Sequence, residues 1–167
     1  MDHKAFIDAN RERFLDELMQ WLRIPSVSSD PNSKEAMAQA AEYLKNRFIE
    51  QGVDKVEIYP TEGHPIVYAE KITDPSKPTV LVYGHYDVQP PDPLDLWDSP
   101  PFEPVIKKTE EHPEGAIYAR GSCDDKGQVY MHVKAFEIMA KDNDFPCNMQ
   151  FMIEGEEEIG SVNLGKF

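Results

Sequence analysis

An imidazole and several carboxylates are grouped in three short stretches of this sequence: His85-Tyr86-Asp87-Val88-Gln89-Pro90, Arg120-Gly121-Ser122-Cys123-Asp124-Asp125-Lys126-Gly127 and Gly155-Glu156-Glu157-Glu158-Ile159-Gly160-Ser161. Each follows an apolar run or turn that reads as the end of a β-strand. Imidazole nitrogen and carboxylate oxygens brought to one sheet edge make a divalent-cation site, and the chemistry such a site supports is hydrolysis by an activated water. On an extended segment, residues two apart point the same way, so His85 and Asp87 face one space, where the aspartate can fix the tautomer of a metal-bound imidazole. Adjacent residues on such a segment point to opposite sides. Glu157 and Glu158 can therefore divide two tasks, one binding a cation and the other meeting a bound water. Asp124 and Asp125 open a helix, where acidic side chains are also favoured by the helix dipole alone. Taken singly, each cluster has a plainer reading as a chance pair, a helix start or a solvated run. Their coincidence at three strand ends points to a metal-dependent hydrolase.

Ile7, Phe14, Leu15, Leu18 and Leu22 recur at helical spacing and predict an amphipathic helix over 4–22, ended by Pro25. Residues 26–32 read as a loop. Asn32 and Glu35 are candidate caps of a second helix with Met37, Ala40, Ala41, Leu44 and Phe48 on its inner face and Gly52 at its end. Strand-like runs follow at 55–59 and 65–71. The run Thr79-Val80-Leu81-Val82-Tyr83 is apolar nearly throughout, the pattern of a strand covered on both faces. Residues 86–116 read as a long surface loop rich in Pro, Asp and Glu, with a short strand near Val105-Ile106. A short strand over 116–118 comes next, then a helix over 126–140 with Val129, Val133, Phe136 and Met139 or Ala140 inward, then a strand over 149–153. Alternating helices and buried strands predict an α/β sandwich. Open α/β sheets bind ligands at the carboxyl ends of their strands, and all three clusters are expected there.

At 167 residues, 40% hydrophobic and 29% charged, the chain has the size and balance of one globular domain. Seventeen basic side chains against thirty-one acidic ones give a formal charge of −14, which argues against nucleic acid and anionic membrane surfaces as partners. The charged N-terminus lacks the apolar core of a signal peptide, and no apolar run approaches membrane-spanning length. The two cysteines, Cys123 and Cys147, make no disulfide framework. These features predict a cytoplasmic protein whose metal sits on histidine and carboxylate. Cys123 reads as a small buried filler. His3, His64 and His112 read as surface or loop residues, and His132 as a packed residue on or beside the apolar face of its helix.

In this order, the three clusters resemble the motifs of the co-catalytic di-zinc metallopeptidases, the family of carnosinase-type dipeptidases, glutamate carboxypeptidases, acetylornithine deacetylase and aminoacylases. Trp97-Asp98-Ser99-Pro100-Pro101-Phe102 is similar to a stretch that follows the first motif in the dipeptidase members, and the Val-Gln-Pro and Lys-Gly-Gln details also resemble that branch. The resemblance implies a three-layer α/β/α zinc-peptidase-like catalytic domain and two divalent metal ions, zinc first, with manganese or cobalt as alternatives. It implies that His85 binds one ion, Asp124 bridges both and Glu158 binds the second. It further implies that Asp87 orients His85, that Glu157 is the general base, and that the Asp124–Asp125 peptide is cis. The implied substrate is a dipeptide or small peptide, and the implied full-length assembly is a homodimer.

The chain departs from the family pattern at Ala119, where a glycine is usual, and in having Cys123 beside the bridging aspartate. The family's further acidic ligand, its late histidine and its lid domain with the dimer contacts find no counterpart in these 167 residues. The expectation is therefore the N-terminal portion of a catalytic domain, incomplete at the C-terminus and inactive alone. The competing readings are a non-catalytic binding or assembly module that keeps the fold, an N-acyl amino acid deacylase of the same family, and an acidic cation buffer. The last is disfavoured by the absence of calcium-loop spacing.

Overall fold

In the computed structural model, which describes every residue from Met1 to Phe167, helix α1 (His3–Leu22) begins where the Asp2 carboxylate accepts the Ala5 N–H at 3.1 Å. Its last turn delivers Trp21 and Leu22 to the core, while Ile7, expected on the apolar face, is exposed. The indole N–H of Trp21 donates to Ala40 O at 3.1 Å, tying α1 to α2 (Lys34–Gln51). Helix α2 buries Met37, Ala40, Ala41, Leu44 and Phe48, the face that its spacing predicts, and stops at Gly52. The capping residue differs from expectation: Asp30, not Asn32, accepts the Asn32 N–H at 2.9 Å and starts a short 3₁₀ turn leading into α2. A carboxylate two residues ahead of the amide forms a tight Asx turn, which Asn32 cannot make with its own N–H.

The sheet holds four strands in the order β1 (Lys55–Tyr59), β2 (Ile66–Lys71), β6 (Asn148–Glu154), β3 (Thr79–His85). Strands β1, β2 and β6 pair antiparallel in sequence, and β3 runs parallel to β6 with His85 opposite Glu154. This register fixes the site. Strands β3 and β6 end at the same edge, so the first and third clusters leave the sheet side by side. Between them run the hairpin β4 (Val105–Lys107) and β5 (Ala116–Tyr118), a separate ribbon, and then α3 (Lys126–Asp142). The second cluster therefore comes from a ribbon and a helix start, not from the main sheet edge as expected.

Helix α2 packs on β1 and β2, α3 on β3, and α1 on α3. One sheet face, with Val67, Ala69, Val82, Phe151 and Ile153, closes with the helices into a single core. The fold is α/β, as expected. The expectation that Thr79–Tyr83 is covered on both faces is corrected: β3 is an edge strand, and Val80, Leu81 and Tyr83 are exposed while Val82 is buried. An apolar run reports the covering a strand can accept; here Leu81 and Tyr83 lie on the face away from α3, and Val80, near the start of the strand on the Val82 face, is also left exposed. The loop over 26–28 is buried, because Ser26 Oγ donates to Tyr86 O at 2.7 Å and Val27 bridges Val88.

A charged network lies between the helices, away from the clusters. The buried Glu17 carboxylate accepts hydrogen bonds from Lys134, from Tyr130 Oη at 2.5 Å and from Arg13 at 2.9 Å, while Arg13 and Lys134 also bind Glu137. Burial opposes ionisation of Glu17, but the bonds from Lys134, Tyr130 and Arg13 outweigh it and hold the pKa at about 2, against an ordinary 4.5. A depressed carboxyl pKa contributes stability that is complete above the unfolded value and is lost as pH falls through the folded one. Glu17→Gln is expected to lower the unfolding free energy at pH 7 by about 3 kcal/mol. The gap to wild type should close between pH 4.5 and about 2. Urea denaturation across that range measures it; a gap unchanged with pH would separate Glu17 from the acid sensitivity.

Candidate metal centre

His85 is the last residue of β3 and is buried. Its Nδ1 lies 3.1 Å from Asp87 O and 3.3 Å from Asp87 Oδ1, which leaves Nε2 free to face outward. There it meets Asp124 Oδ1 at 3.1 Å and Glu157 Oε2 at 3.8 Å. Burial alone would lower the imidazole pKa, but the bond to Asp87 and the charges of Asp87 and Asp125 raise it to about 9. Positive charge is favoured at this ring, whether from a proton or from a metal ion in its place.

Asp87 is completely buried and accepts the backbone N–H of Glu157 at 3.2 Å and of Glu158 at 3.1 Å. One carboxylate thus holds the imidazole of the first cluster and the chain of the third. Its burial pushes its pKa up, and the bonds from His85 and the Glu158 amide more than reverse this, so it stays below the usual carboxylate range.

The glutamate triplet is not an extended segment. Glu157–Ile159 form a 3₁₀ turn, so three-residue turn geometry, not strand alternation, separates the side chains. Glu156 is buried and accepts the His64 N–H at 3.1 Å and the Asn163 side-chain amide at 2.9 Å, which fixes the turn to two loops. Glu157 projects toward His85 with its side chain 44% exposed. Glu158 accepts the Gln89 side-chain amide at 2.8 Å.

The turn before α3 carries Asp124 into this space, and the Asp124–Asp125 peptide is cis. Lys126 is wholly buried and donates to Trp21 O at 3.2 Å and Ile24 O at 2.8 Å; burial lowers its pKa to about 7. A cation at a helix start opposes the helix dipole, but this ammonium also caps the carbonyl end of α1, which compensates. Nothing in the sequence singled out Lys126 for this role except that breach of dipole preference. Asp125, Gln89 and Glu156 lay inside the quoted motifs with no role assigned, since their partners are distant in sequence.

Two expectations are corrected. Cys123 is exposed, because it sits on the outer side of the turn that carries Asp124. His132 is exposed as well: α3 turns Val129, Val133 and Phe136 inward, and His132 falls on the solvent side.

His85, Asp124 and Glu158 each offer one ligand atom, and the three atoms lie within 4.8 Å of one another. One imidazole nitrogen with two carboxylate oxygens suits zinc, manganese or cobalt, so the residues fit a divalent cation. The Asp124 side chain is 74% exposed, leaving the group open to solvent.

The protein is thus of the class in which a mixed α/β sheet carries an imidazole-and-carboxylate metal centre at its strand ends. Residues 81–166, just over half the chain, match the pattern of Peptidase family M20/M25/M40, and the chain belongs to that family. It is 34% identical over 174 residues to the Beta-Ala-His dipeptidase of Mus musculus, a match that covers 95% of this chain and 34% of the mouse protein. The solved structure of the di-peptidase Dug1p from Saccharomyces cerevisiae superposes with a TM-score of 0.85 at 31% identity, covering 96% of this chain and 35% of that one. The metallo-carboxypeptidase Sso-CP2 from Sulfolobus solfataricus gives 0.80 at 38% identity, over 92% of this chain and 33% of that one. The chain therefore spans about a third of the length of these relatives.

The turn that carries Asp124 closes on Gly127, whose N–H donates to Gly121 O at 3.1 Å. A Cβ at Gly127 would lie 2.0 Å from the backbone oxygen of Ser122, which no side-chain movement relieves. Gly127→Ala is expected to destabilise the fold by on the order of 3 kcal/mol in urea denaturation. A wild-type midpoint would show that the turn tolerates the added carbon.

Proposed function

We propose that these residues are the N-terminal part of the catalytic domain of a metal-dependent dipeptidase that hydrolyses the amide bond of dipeptides or small peptides. The observation that carries this reading is the convergence of His85, Asp124 and Glu158 within 4.8 Å, with Glu157 beside them. The family membership and the dipeptidase names of two relatives support it. His85 and Asp124 would hold one divalent ion, and Asp124 with Glu158 a second, zinc being the first candidate. Bound there, the ions would supply the Lewis acidity that polarises a scissile carbonyl and acidifies the attacking water.

The rest is done by the chain's own groups. Glu157 would take the proton of the attacking water and pass it to the leaving amine, a role supported by its side chain being 44% exposed with its carboxylate 3.8 Å from His85 Nε2. Asp87 keeps Nδ1 occupied, so that Nε2 is the nitrogen presented. The same aspartate grips the Glu157 and Glu158 amides, which ties base and ligand to one anchor.

Each ion would keep two ligands from these residues, where zinc sites in enzymes commonly keep three protein ligands. The full-length protein is read as a cytoplasmic homodimer that supplies the remaining ligands. Two measurements test the proposal. Calorimetric zinc titration of the 167-residue chain is expected to give weak binding and little turnover, and tight two-ion occupancy would contradict the division of ligands. In a longer protein carrying these residues, Glu157→Gln is expected to keep its metal and lose about 10²- to 10⁴-fold in kcat on dipeptides. A variant with the wild-type rate would remove Glu157 from the base role.

A further inference from the structure

We infer that Asp125 is a positioning residue for the metal centre, acting through the backbone of His85 rather than as a ligand. The inference rests on the metal-site reading of His85 and adds a residue to which that reading gives no task.

Asp125 stands at the N-cap of α3, where an aspartate ordinarily accepts an amide from the first helical turn, yet it makes no such bond. Its Oδ2 instead accepts the His85 N–H at 3.1 Å, from forty positions along the chain. The need for this acceptor follows from the sheet. Strand β3 lies at the sheet edge, and the Tyr86 N–H is given to Glu154 O at 2.9 Å, so the His85 amide points away from β6, where no strand lies. A buried amide without a partner is destabilising, and Asp125 supplies the only carboxylate bonded to it.

Gly84 belongs to the same device. A Cβ there would lie 2.7 Å from Asp125 Oδ2 and 2.5 Å from Val129 Cγ2. The missing side chain lets the carboxylate reach the strand. The turn holding Asp124 is thereby pinned to the residue whose Nε2 Asp124 faces, by a bond one residue along from each: Asp125 to the His85 amide, and Asp124 to the His85 ring. The His85–Asp124 spacing within the ligand group is set by this backbone clamp. Three carboxylates then surround one histidine with separate tasks: Asp87 on Nδ1, Asp124 at Nε2 and Asp125 on the amide.

The test uses the 167-residue chain with cobalt(II) as the probe. Asp125→Ala is expected to raise the exchange rate of the His85 amide proton, followed by NMR in the metal-free protein, by at least about tenfold. It is also expected to weaken cobalt(II) binding by about ten- to hundred-fold. Asp125→Asn keeps an acceptor oxygen and is expected to retain the amide protection, with a loss in affinity smaller than about tenfold. Gly84→Ala should reproduce the Asp125→Ala result without changing charge. Wild-type amide exchange and cobalt affinity in Asp125→Ala would overturn the inference. So would equal losses in the Asn and Ala variants, which would make charge rather than the bond decisive. Should Asp125→Ala not fold, the Asn variant decides by the same amide signal. Failure of the wild-type chain to bind cobalt at any concentration would count against the metal-site reading, and the amide exchange of the variants would still judge the clamp.

Discussion

A carboxylate with no access to water must be surrounded by donors, and the placement of the centre follows from how Asp87 meets that demand. Its donors are the His85 ring and the amides of Glu157 and Glu158. A group that removes these bonds leaves a buried charge unpaired, an outcome costly enough to make the arrangement nearly obligatory once the core has formed. The third cluster is consequently not a free loop that happens to pass the first. It is held there by the same atom group that sets the imidazole. The parallel register of β3 on β6 brings the two within reach, and Asp87 converts nearness into fixed geometry.

Much of this was legible in the sequence because it depends on local pattern. The helical spacing of Met37, Ala40, Ala41, Leu44 and Phe48 specified a buried face, and that face is buried. The three clusters announced themselves by residue type and by the strands preceding them. What stayed hidden depended on partners far along the chain. Glu156, Glu157 and Glu158 are adjacent and chemically identical, yet one is buried in a loop junction, one is half exposed near the imidazole, and one joins the ligand group. No periodicity distinguishes them, because a 3₁₀ turn and the loop of Asn163 decide. Cys123 and His132 were misread for a related reason: each lies within one or two positions of buried residues, and only the direction of the turn or helix face settles which side it takes.

Buried charge is handled in two different ways on either side of the core. The Glu17 network pairs acids with bases at close range, so its charges cancel locally, and its work is to join α1 to α3. The centre around His85 is left with an excess of carboxylate: Asp87, Asp124 and Glu157 face its imidazole and Asp125 its backbone amide, with no lysine or arginine bonded among them. Lys126 is close in sequence but gives its ammonium to the carbonyls of Trp21, in the last turn of α1, and Ile24, just beyond it. In the proposed dipeptidase, a divalent ion held at His85, Asp124 and Glu158 would offset this excess of acid.

The direction of β3 connects that centre to the uncovered face of the sheet. Side chains alternate along a strand, so Leu81, Tyr83 and His85 share one face, and across β6 so do Gln150, Met152 and Glu154. This is the face opposite the helices, and Leu81 and Tyr83 are exposed on it. Exposed apolar side chains on an edge strand are a liability in an isolated domain, since both the free edge and the bare face invite association.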